Sequence, residues 1–303
     1  MLCDHRKILI PPPPMPVRSP SPAALPPIPT DATPPPATGE SAVGRLLTIL
    51  DLFTADNLQI QVDEVAAWLG VGRSTCYRYL QELSDRGLLA QRGKGRYSLG
   101  SRIVELERLL QQSDPLLNAG KSVMAGMADI CDNRALLLCT LYNDRVLCTH
   151  QVGSSHIIHE GERMPLYRGR GSAFPLFQGA GSQAILANLA PHQIRALYLA
   201  KQAEIAESGL GQDWQEFRSA LATIRKQGYV ATVGKRNPRI LALAVPVRHV
   251  DGQVMGSLLL LTAHTEAERA QALALVPRLQ AEAARIGEFE QRLSSGDTVP
   301  PAN

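Results

Sequence analysis

Apolar residues recur at helical spacing from the first patterned stretch of the chain. In residues 41–53, Val43, Leu46, Leu47, Leu50 and Phe53 predict one apolar stripe, with Ser41 placed as its N-cap. A polar loop around Asp56-Asn57 follows. A second helix is expected over 63–69, capped by Asp63, then a turn Gly70-Val71-Gly72 and a third helix over 73–84. Two short helices joined by a three-residue, Gly-containing turn fit a helix-turn-helix. Residues 87–91 and 96–99 read as strands joined by Arg92-Gly93-Lys94-Gly95, a hairpin that makes a wing. Ile103, Leu106 and Leu110 then form one stripe of a helix bounded by Pro115, and that stripe suits either a core or a dimer seam.

Beyond Pro115 the pattern becomes mixed. A helix is expected over 116–132 on Leu116, Val123, Met127 and Ile130. Strands follow over 134–142 and 145–152, turned by Asn143-Asp144. A Gly-rich loop is expected over about 161–181, then helices from Ser182 and from Pro191. Asp213 caps a further helix, with Trp214, Phe217, Leu221 and Ile224 on one face and Gly228 closing it. Strands are expected over 229–233, 240–247 and 254–261, and a last Ala-rich helix over 266–293. Antiparallel strands with helices segregated around them give an α+β class. There is no internal repeat.

Composition adds the boundaries. Thirteen of the 22 prolines fall in residues 1–40, which read as a disordered Pro-rich tail, with Met15 as a second candidate start. Residues 294–303 read as a second disordered tail. The folded part divides into 41–100, a linker helix over 101–113 and a larger domain over 114–293. No apolar run approaches the roughly 18 residues of a membrane span, and the N-terminus lacks a signal-peptide core. Five cysteines without a CxxC pair argue against a disulfide framework and a zinc ribbon, and point to a reducing cytoplasm.

The net charge of +3 over 303 residues excludes a uniformly basic chain, but the charge is polarised. Residues 41–72 hold Arg45 against Asp51, Asp56, Asp63 and Glu64, a net of −3. Residues 73–102 hold seven basic and two acidic residues, a net of +5. The excess falls on the third helix and the wing, the parts a winged helix presents to DNA.

Residues 62–106, with Arg73-Ser74-Thr75, Arg78, Leu80, Gly87-Leu88, Tyr97 and Leu99-Gly100, resemble the bacterial IclR family of transcriptional regulators. Pro175-Leu176, Gly179-Ala180-Gly181, Leu186-Ala187, Gly228-Tyr229, Pro246-Val247 and Gly252 extend the resemblance to about residues 41–290. It implies an N-terminal winged helix-turn-helix joined by a linker helix to a GAF-like α/β effector-binding domain. It also implies a homodimer or homotetramer on an operator in double-stranded DNA, no cofactor and no catalysis. In that frame Arg73, at the start of the recognition helix, suits guanine, and Ser74, Thr75, Tyr77 and Arg78 reach bases or backbone. Ser74 can instead cap the helix, and Thr75 can pack its methyl. Arg92, Lys94 and Arg96 on the wing meet phosphate or the minor groove. Arg45 touches backbone or solvent.

The resemblance places effector contacts at Gly179, Ala180, Gly181, Thr232, Lys235, Ala242, Leu259 and Leu261. Backbone N–H groups at the helix start after Gly179 suit a carboxylate. Leu259 and Leu261 stand where the family's small-acid sensors carry serines, so an aromatic or alkyl organic acid is expected, neutralised by Arg168, Arg170 or Lys235.

Three further patterns carry less. Cys148, His150, His156 and His159 straddle a strand end and a loop, and are not assigned as a metal site. GxGxxA over 179–184 lacks the strand-and-acid context of a dinucleotide site, and Gly169-Arg170-Gly171-Ser172 is no nucleophile elbow. An oligomerising architectural DNA-binding protein without a ligand is the alternative function. An enzyme with an appended winged helix would lack a visible nucleophile–base pair.

Overall fold

Ser41 opens the first helix as expected: its Oγ accepts the Gly44 N–H at 3.0 Å, and α1 runs Ala42–Thr48. This computed structural model describes residues 41–295 except Tyr167, Arg168 and Arg236. Both terminal tails, apart from Ser294 and Ser295, and the candidate Arg168 therefore lie outside the described residues.

The expected continuous helix over 41–53 instead tightens into a 3₁₀ turn at Ile49–Leu52. That change of pitch turns Ile49 and Leu52 into the core and leaves Val43 and Leu47 exposed. A short β1 (Ile60–Gln61) leads into α2 (Val62–Leu69). Gln61 rather than Asp63 holds the N-cap position, where its N–H donates to the Glu64 carboxylate at 3.3 Å. Asp63 lies two residues past the N-cap, inside the first turn of α2. Gly70 ends α2 at φ 63°, a left-handed conformation that glycine adopts without a Cβ clash.

Helix α3 spans Arg73–Asp85, and β2 (Leu89–Gln91) and β3 (Arg96–Leu99) form the wing hairpin. The sheet order is β1-β3-β2, all antiparallel. Val65, Cys76, Leu80, Leu83 and Leu89 close one core with Ile49 and Leu52. The Cys76 thiol donates to the Val62 carbonyl at 3.4 Å, and burial pushes its pKa up to about 11. A thiol so held is inert packing.

Next comes α4 (Arg102–Ser113). The chain divides into two units between Glu107 and Arg108, within this helix. None of its residues is buried, and Val104, Leu106, Leu109 and Leu110 are exposed.

In the second unit Asp114 caps α5 (Pro115–Ala125), accepting the Leu117 N–H at 3.0 Å. The helix expected over 116–132 stops at Gly126, and Ala128–Ile130 is a 3₁₀ turn. A hairpin of β4 (Ala135–Tyr142) and β5 (Arg145–Gly153) turns at Asn143, with φ 54°. The expected Gly-rich loop contains strands. A separate hairpin of β6 (His156–His159) and β7 (Glu162–Pro165) precedes it and enters it, and β8 (Ala173–Pro175) adds to the edge of β5. These strands have only three or four residues, too few for alternation to stand out in the sequence.

Four helices follow: α6 (Ala180–Leu186), α7 (Pro191–Ala200), α8 (Gln202–Ser208) and α9 (Trp214–Gln227). Asp213 caps α9 by accepting the Glu216 N–H at 2.8 Å, and Gly228 closes it. Then come β9 (Val230–Val233), β10 (Ile240–Arg248) and β11 (Val254–Ala263). The last helical stretch is two helices, α10 (Glu266–Ala274) and α11 (Val276–Ser294). They break at Leu275 because Pro277, in the first turn of α11, has no N–H for a continuous ladder.

The six-stranded antiparallel sheet has the order β8-β5-β4-β11-β10-β9. Helices cover both faces. Leu137, Cys139, Ala244 and Leu259 face α6 and α9, whereas Leu136, Leu138, Leu243, Leu258 and Leu260 face α5 and α11. Two covered faces explain why β4 and β11 read as unbroken apolar runs rather than alternating ones.

Candidate DNA-reading surface and ligand face

Helix α3 separates its side chains cleanly. Cys76, Tyr79, Leu80 and Leu83 point into the core, while Arg73, Ser74, Tyr77 and Arg78 are exposed. Spacing of three and four residues on a 3.6-residue helix enforces this split. Gly72 occupies the N-cap position, so Ser74 does not cap α3. Thr75 is half-buried, in keeping with partial packing of its methyl.

Arg73 is held ready but engaged. Its Nε lies 3.2 Å from Asp63, and its guanidinium sits 5.8 Å from the Tyr77 ring centre. The Tyr77 hydroxyl and the Asp63 carboxylate both favour the charged guanidinium and raise its pKa. Asp63, expected to cap α2, is thus a partner of Arg73 instead. Leaving that exposed, solvent-screened ion pair costs Arg73 little. Asp63→Asn is expected to tighten binding to every duplex by a few-fold, because it frees Arg73 and removes a charge that repels phosphate. Parallel titrations of specific and scrambled DNA check this; weaker binding to both would contradict it.

The wing carries its cations at different depths. Arg92 and Lys94 are exposed, and Arg96 is half-buried. Arg92 Nε donates to Ser98 Oγ at 2.9 Å, and the Arg92 N–H donates to the Arg96 carbonyl at 2.8 Å, which fixes the hairpin. Ser98 was not anticipated as a support for Arg92. Arg45 is half-buried on α1.

In the second unit the candidate ligand residues separate into two sets. Antiparallel register sets Thr232 opposite Ala242, and Ala242 opposite Leu261, as one cross-strand row. Leu259 lies in the next row, opposite Ala244. Directly opposed residues share a face, so Thr232, Ala242, Leu259 and Leu261 all lie beneath α6. Gly181 meets them there: a Cβ on it would stand 3.3 Å from Ser257 Oγ and 3.5 Å from Leu259 Cδ2. Ser257, fully buried, donates to the Gly181 carbonyl at 2.9 Å and pins the start of α6 to β11. It is spaced by two from Leu259 and by four from Leu261, and that period of two was the signal available for it.

The other set lies elsewhere. Gly179 and Lys235 are exposed, and Lys235 sits in the bend after β9. Arg170 is exposed, and its Nε donates to the Thr149 carbonyl at 2.9 Å. α6 starts at Ala180, two residues before the expected Ser182, so Ala180 and Gly181 are buried in its first turn against the sheet. Ser182 is buried too, and its Oγ has no hydrogen-bond partner. Leu259 fills the core, while Thr232, Ala242 and Leu261 keep partial exposure. A cleft of about 560 Å³ lined by Arg225, Gly228, Pro246, Arg248, His249 and Gln280, among others, contains none of the candidate ligand residues.

Cys148 and His150 lie on β5, His156 and His159 on the separate β6-β7 hairpin. Among the described residues, no three His, Cys, Asp or Glu side chains are grouped to hold a metal ion. No helix among them is long and apolar enough to cross a membrane.

Comparison with known proteins bears on both units. A family model described as the IclR helix-turn-helix domain matches residues 42–93, and one described as bacterial transcriptional regulator IclR C-terminal matches residues 112–288. The HTH-type transcriptional regulator XynR of Escherichia coli K12 is 23% identical over 241 residues, covering 76% of this chain and 89% of its own. The transcriptional repressor IclR of the same organism is 27% identical over 209 residues, covering 64% and 70%. Among solved structures, an IclR homolog complexed with 4-hydroxybenzoate from Microbacterium hydrocarbonoxydans has a TM-score of 0.64 at 21% identity, covering 83% of this chain and 99% of its own. An IclR transcriptional regulator from Alicyclobacillus acidocaldarius has a TM-score of 0.63 at 22% identity, covering 82% and 98%. At these identities the structural likeness speaks for the fold.

Proposed function

The chain belongs to the IclR family of bacterial transcriptional regulators, and we propose that it reads an operator with α3 and the wing under the control of a small organic acid. The observation that carries the DNA half is the outward presentation of Arg73, Ser74, Tyr77 and Arg78 from a helix whose other face is sealed in a core. Basic side chains on the adjacent wing supply the electrostatic footprint. Arg73 reads base edges, Thr75 and Arg78 support it, and Arg92, Lys94 and Arg96 hold phosphate. Paired half-sites need a paired reader, and the exposed apolar side chains of α4 supply the seam of a homodimer.

Fluorescence anisotropy with DNA from upstream of the chain's own gene tests this reading, with a scrambled duplex as control at two salt concentrations. Specific, salt-sensitive binding supports it. Failure to bind even random DNA at low salt overturns it. In the same assay Lys94→Ala is expected to weaken both duplexes about equally and to reduce the salt slope by roughly one unit, the signature of a lost phosphate contact.

The effector half rests on the face beneath α6. Ala242 and Leu261 present apolar surface where a small hydrophilic acid would need hydroxyls. An aromatic or alkyl carboxylate fits such a surface, with Arg170 or Lys235 to meet its charge, and a structural relative of the same fold holds 4-hydroxybenzoate. The effector acts by binding one arrangement of the regulator better than the other. A screen in which only two- and three-carbon acids shift the anisotropy curve sinks this assignment and leaves the DNA half standing.

A further inference from the structure

We propose that Cys139 and Cys148 form a redox-active dithiol that a peroxide converts into an intrachain disulfide across β4 and β5. The two residues are direct cross-strand partners in register. The Cys148 N–H donates to the Ser172 carbonyl at 2.9 Å, and its carbonyl accepts the Gly171 N–H at 2.8 Å, so both backbone groups turn away from β4. Cys139 and Cys148 are therefore a non-hydrogen-bonded antiparallel pair. Such pairs hold their Cα atoms about 4.5 Å apart with side chains on the same face, inside the range of roughly 4.4–6.8 Å that a disulfide spans. The two thiols lie on the same face of the sheet in one core, with the Cys148 thiol donating to the His150 carbonyl at 3.4 Å.

The strands are shaped locally around this pair. Pairing runs Leu138 to His150 and then Cys139 to Cys148, which leaves Thr149 as the extra residue of a β-bulge. Thr149 is tied on both sides: its Oγ1 donates to the Leu138 carbonyl at 3.3 Å, and its own carbonyl accepts from Arg170 Nε at 2.9 Å. Bulges increase local twist and re-aim side chains, which eases the dihedral a cross-strand disulfide requires.

The pair is also chemically asymmetric. The adjacent Cys139 thiol holds the Cys148 thiol below the ordinary range against the opposing effect of burial, with the His150 backbone and Arg170 adding to the lowering. The Cys148 neighbour, together with complete burial, pushes Cys139 up. Cys148, whose strand also borders the short edge strand β8 while β4 lies inside the sheet, is the attacking thiolate and Cys139 the resolving thiol. The Cys148 sulfur attacks one peroxide oxygen, the O–O bond breaks, and the departing hydroxide takes a proton to become water. Cys148 is then a sulfenic acid. The Cys139 sulfur attacks the Cys148 sulfur, the S–O bond breaks, and hydroxide leaves with the Cys139 proton as a second water. Two thiols lose two electrons, and one peroxide gains them.

Both sulfurs are buried, and Cys148 lies on the strand next to the sheet edge. Its outer neighbours are the 171–172 segment and β8, an edge strand of three residues, and such an edge opens locally at low cost. The other buried thiols among the described residues have no thiol partner. Cys76 donates to the Val62 carbonyl and Cys131 to the Met127 carbonyl, each at 3.4 Å, and burial raises the pKa of both. Oxidation is accordingly selective for the β4-β5 pair. Ser257, the cross-strand partner of Cys139 on β11, donates to the Gly181 carbonyl, which places the modification under the start of α6.

Reduced full-length protein treated with hydrogen peroxide, then denatured and alkylated, is to be mapped by mass spectrometry without reduction. A Cys139–Cys148 cross-linked peptide that dithiothreitol removes is the expected product. In Cys139→Ser, Cys148 should instead accumulate as a sulfenic acid trapped by dimedone. In Cys148→Ser, Cys139 should stay reduced over the same interval. Recovery of both thiols alkylated in the wild-type chain, or cross-links only through other cysteines or between chains, overturns the proposal. The wild-type map decides even if a variant fails to fold, and it does not depend on the operator or effector readings.

Discussion

Arg73→Ala is expected to weaken binding to the specific operator by about 1–3 kcal/mol, a loss of roughly 5- to 150-fold, and to flatten base preference at the position it reads. The helix places this guanidinium at its first residue, exposed and oriented by Asp63 and Tyr77. A planar fork so positioned discriminates guanine by two parallel hydrogen bonds, and a truncated side chain offers none. Random DNA should lose far less, since only one phosphate-range charge disappears. The comparison with Lys94→Ala is what gives the result its meaning. Lys94 stands at the wing tip without base-reading geometry, so its loss should scale specific and random binding alike. Equal losses on both duplexes for both variants would overturn this division of labour. Arg73→Lys should recover the non-specific component but not the preference, because an ammonium is a point charge.

The largest effect on stability is expected at Phe217. It is fully buried at the meeting point of an aromatic cluster. Its ring stacks on Tyr198 at 5.9 Å and lies 6.5 Å edge-on to Phe177 and 6.3 Å from Trp214. Arg195 covers the outside of this cluster, 4.6 Å from the Trp214 ring centre. Phe217→Ala removes the ring that α9 inserts and leaves a cavity that three other ring systems cannot fill without moving. The expected cost is about 3–5 kcal/mol, which for a unit of this size lowers its melting temperature by roughly 6–20 °C. Calorimetry should place the loss in the larger unit, since the core of residues 49–97 shares no residue with this cluster. A change of less than about 1 kcal/mol would show that the cluster relaxes freely around the void.

Much of this was legible in the linear pattern. Ser41 and Asp213 cap where a hydroxyl and a carboxylate before an apolar period predict caps. The short helices flanking Gly70-Val71-Gly72, and the basic residues concentrated after them, located the recognition helix because its buried and exposed positions alternate at a fixed local period. The winged helix-turn-helix followed by an α/β domain was likewise readable from the switch of hydrophobic period beyond Pro115. The misreadings were also local. Apolar residues continue at plausible intervals past Thr48 and past Gly126 and so predict unbroken helices, while the chain tightens into 3₁₀ turns. A loop was expected across 161–181 because strands of three or four residues carry too little alternation to be seen.

The candidate sites divide along the same line. Arg73, Tyr77 and Arg78 are near neighbours in sequence, and a helix has only one way to present them, so local periodicity determined which of them face outward. The ligand face and the thiol pair are different in kind. Thr232, Ala242 and Leu261 meet only because three strands pair in one register, and Gly181 meets Ser257 across 76 positions of chain. Cys139 and Cys148 face each other only because Thr149 bulges out between two pairings; had the register run on unbroken from Leu138–His150, Cys139 would face Thr149. Periodicity specifies which side of its own element a residue occupies. Which residues of remote elements share that side is decided by strand pairing and by the packing of α6 over the sheet, energies that arise only once the segments have come together.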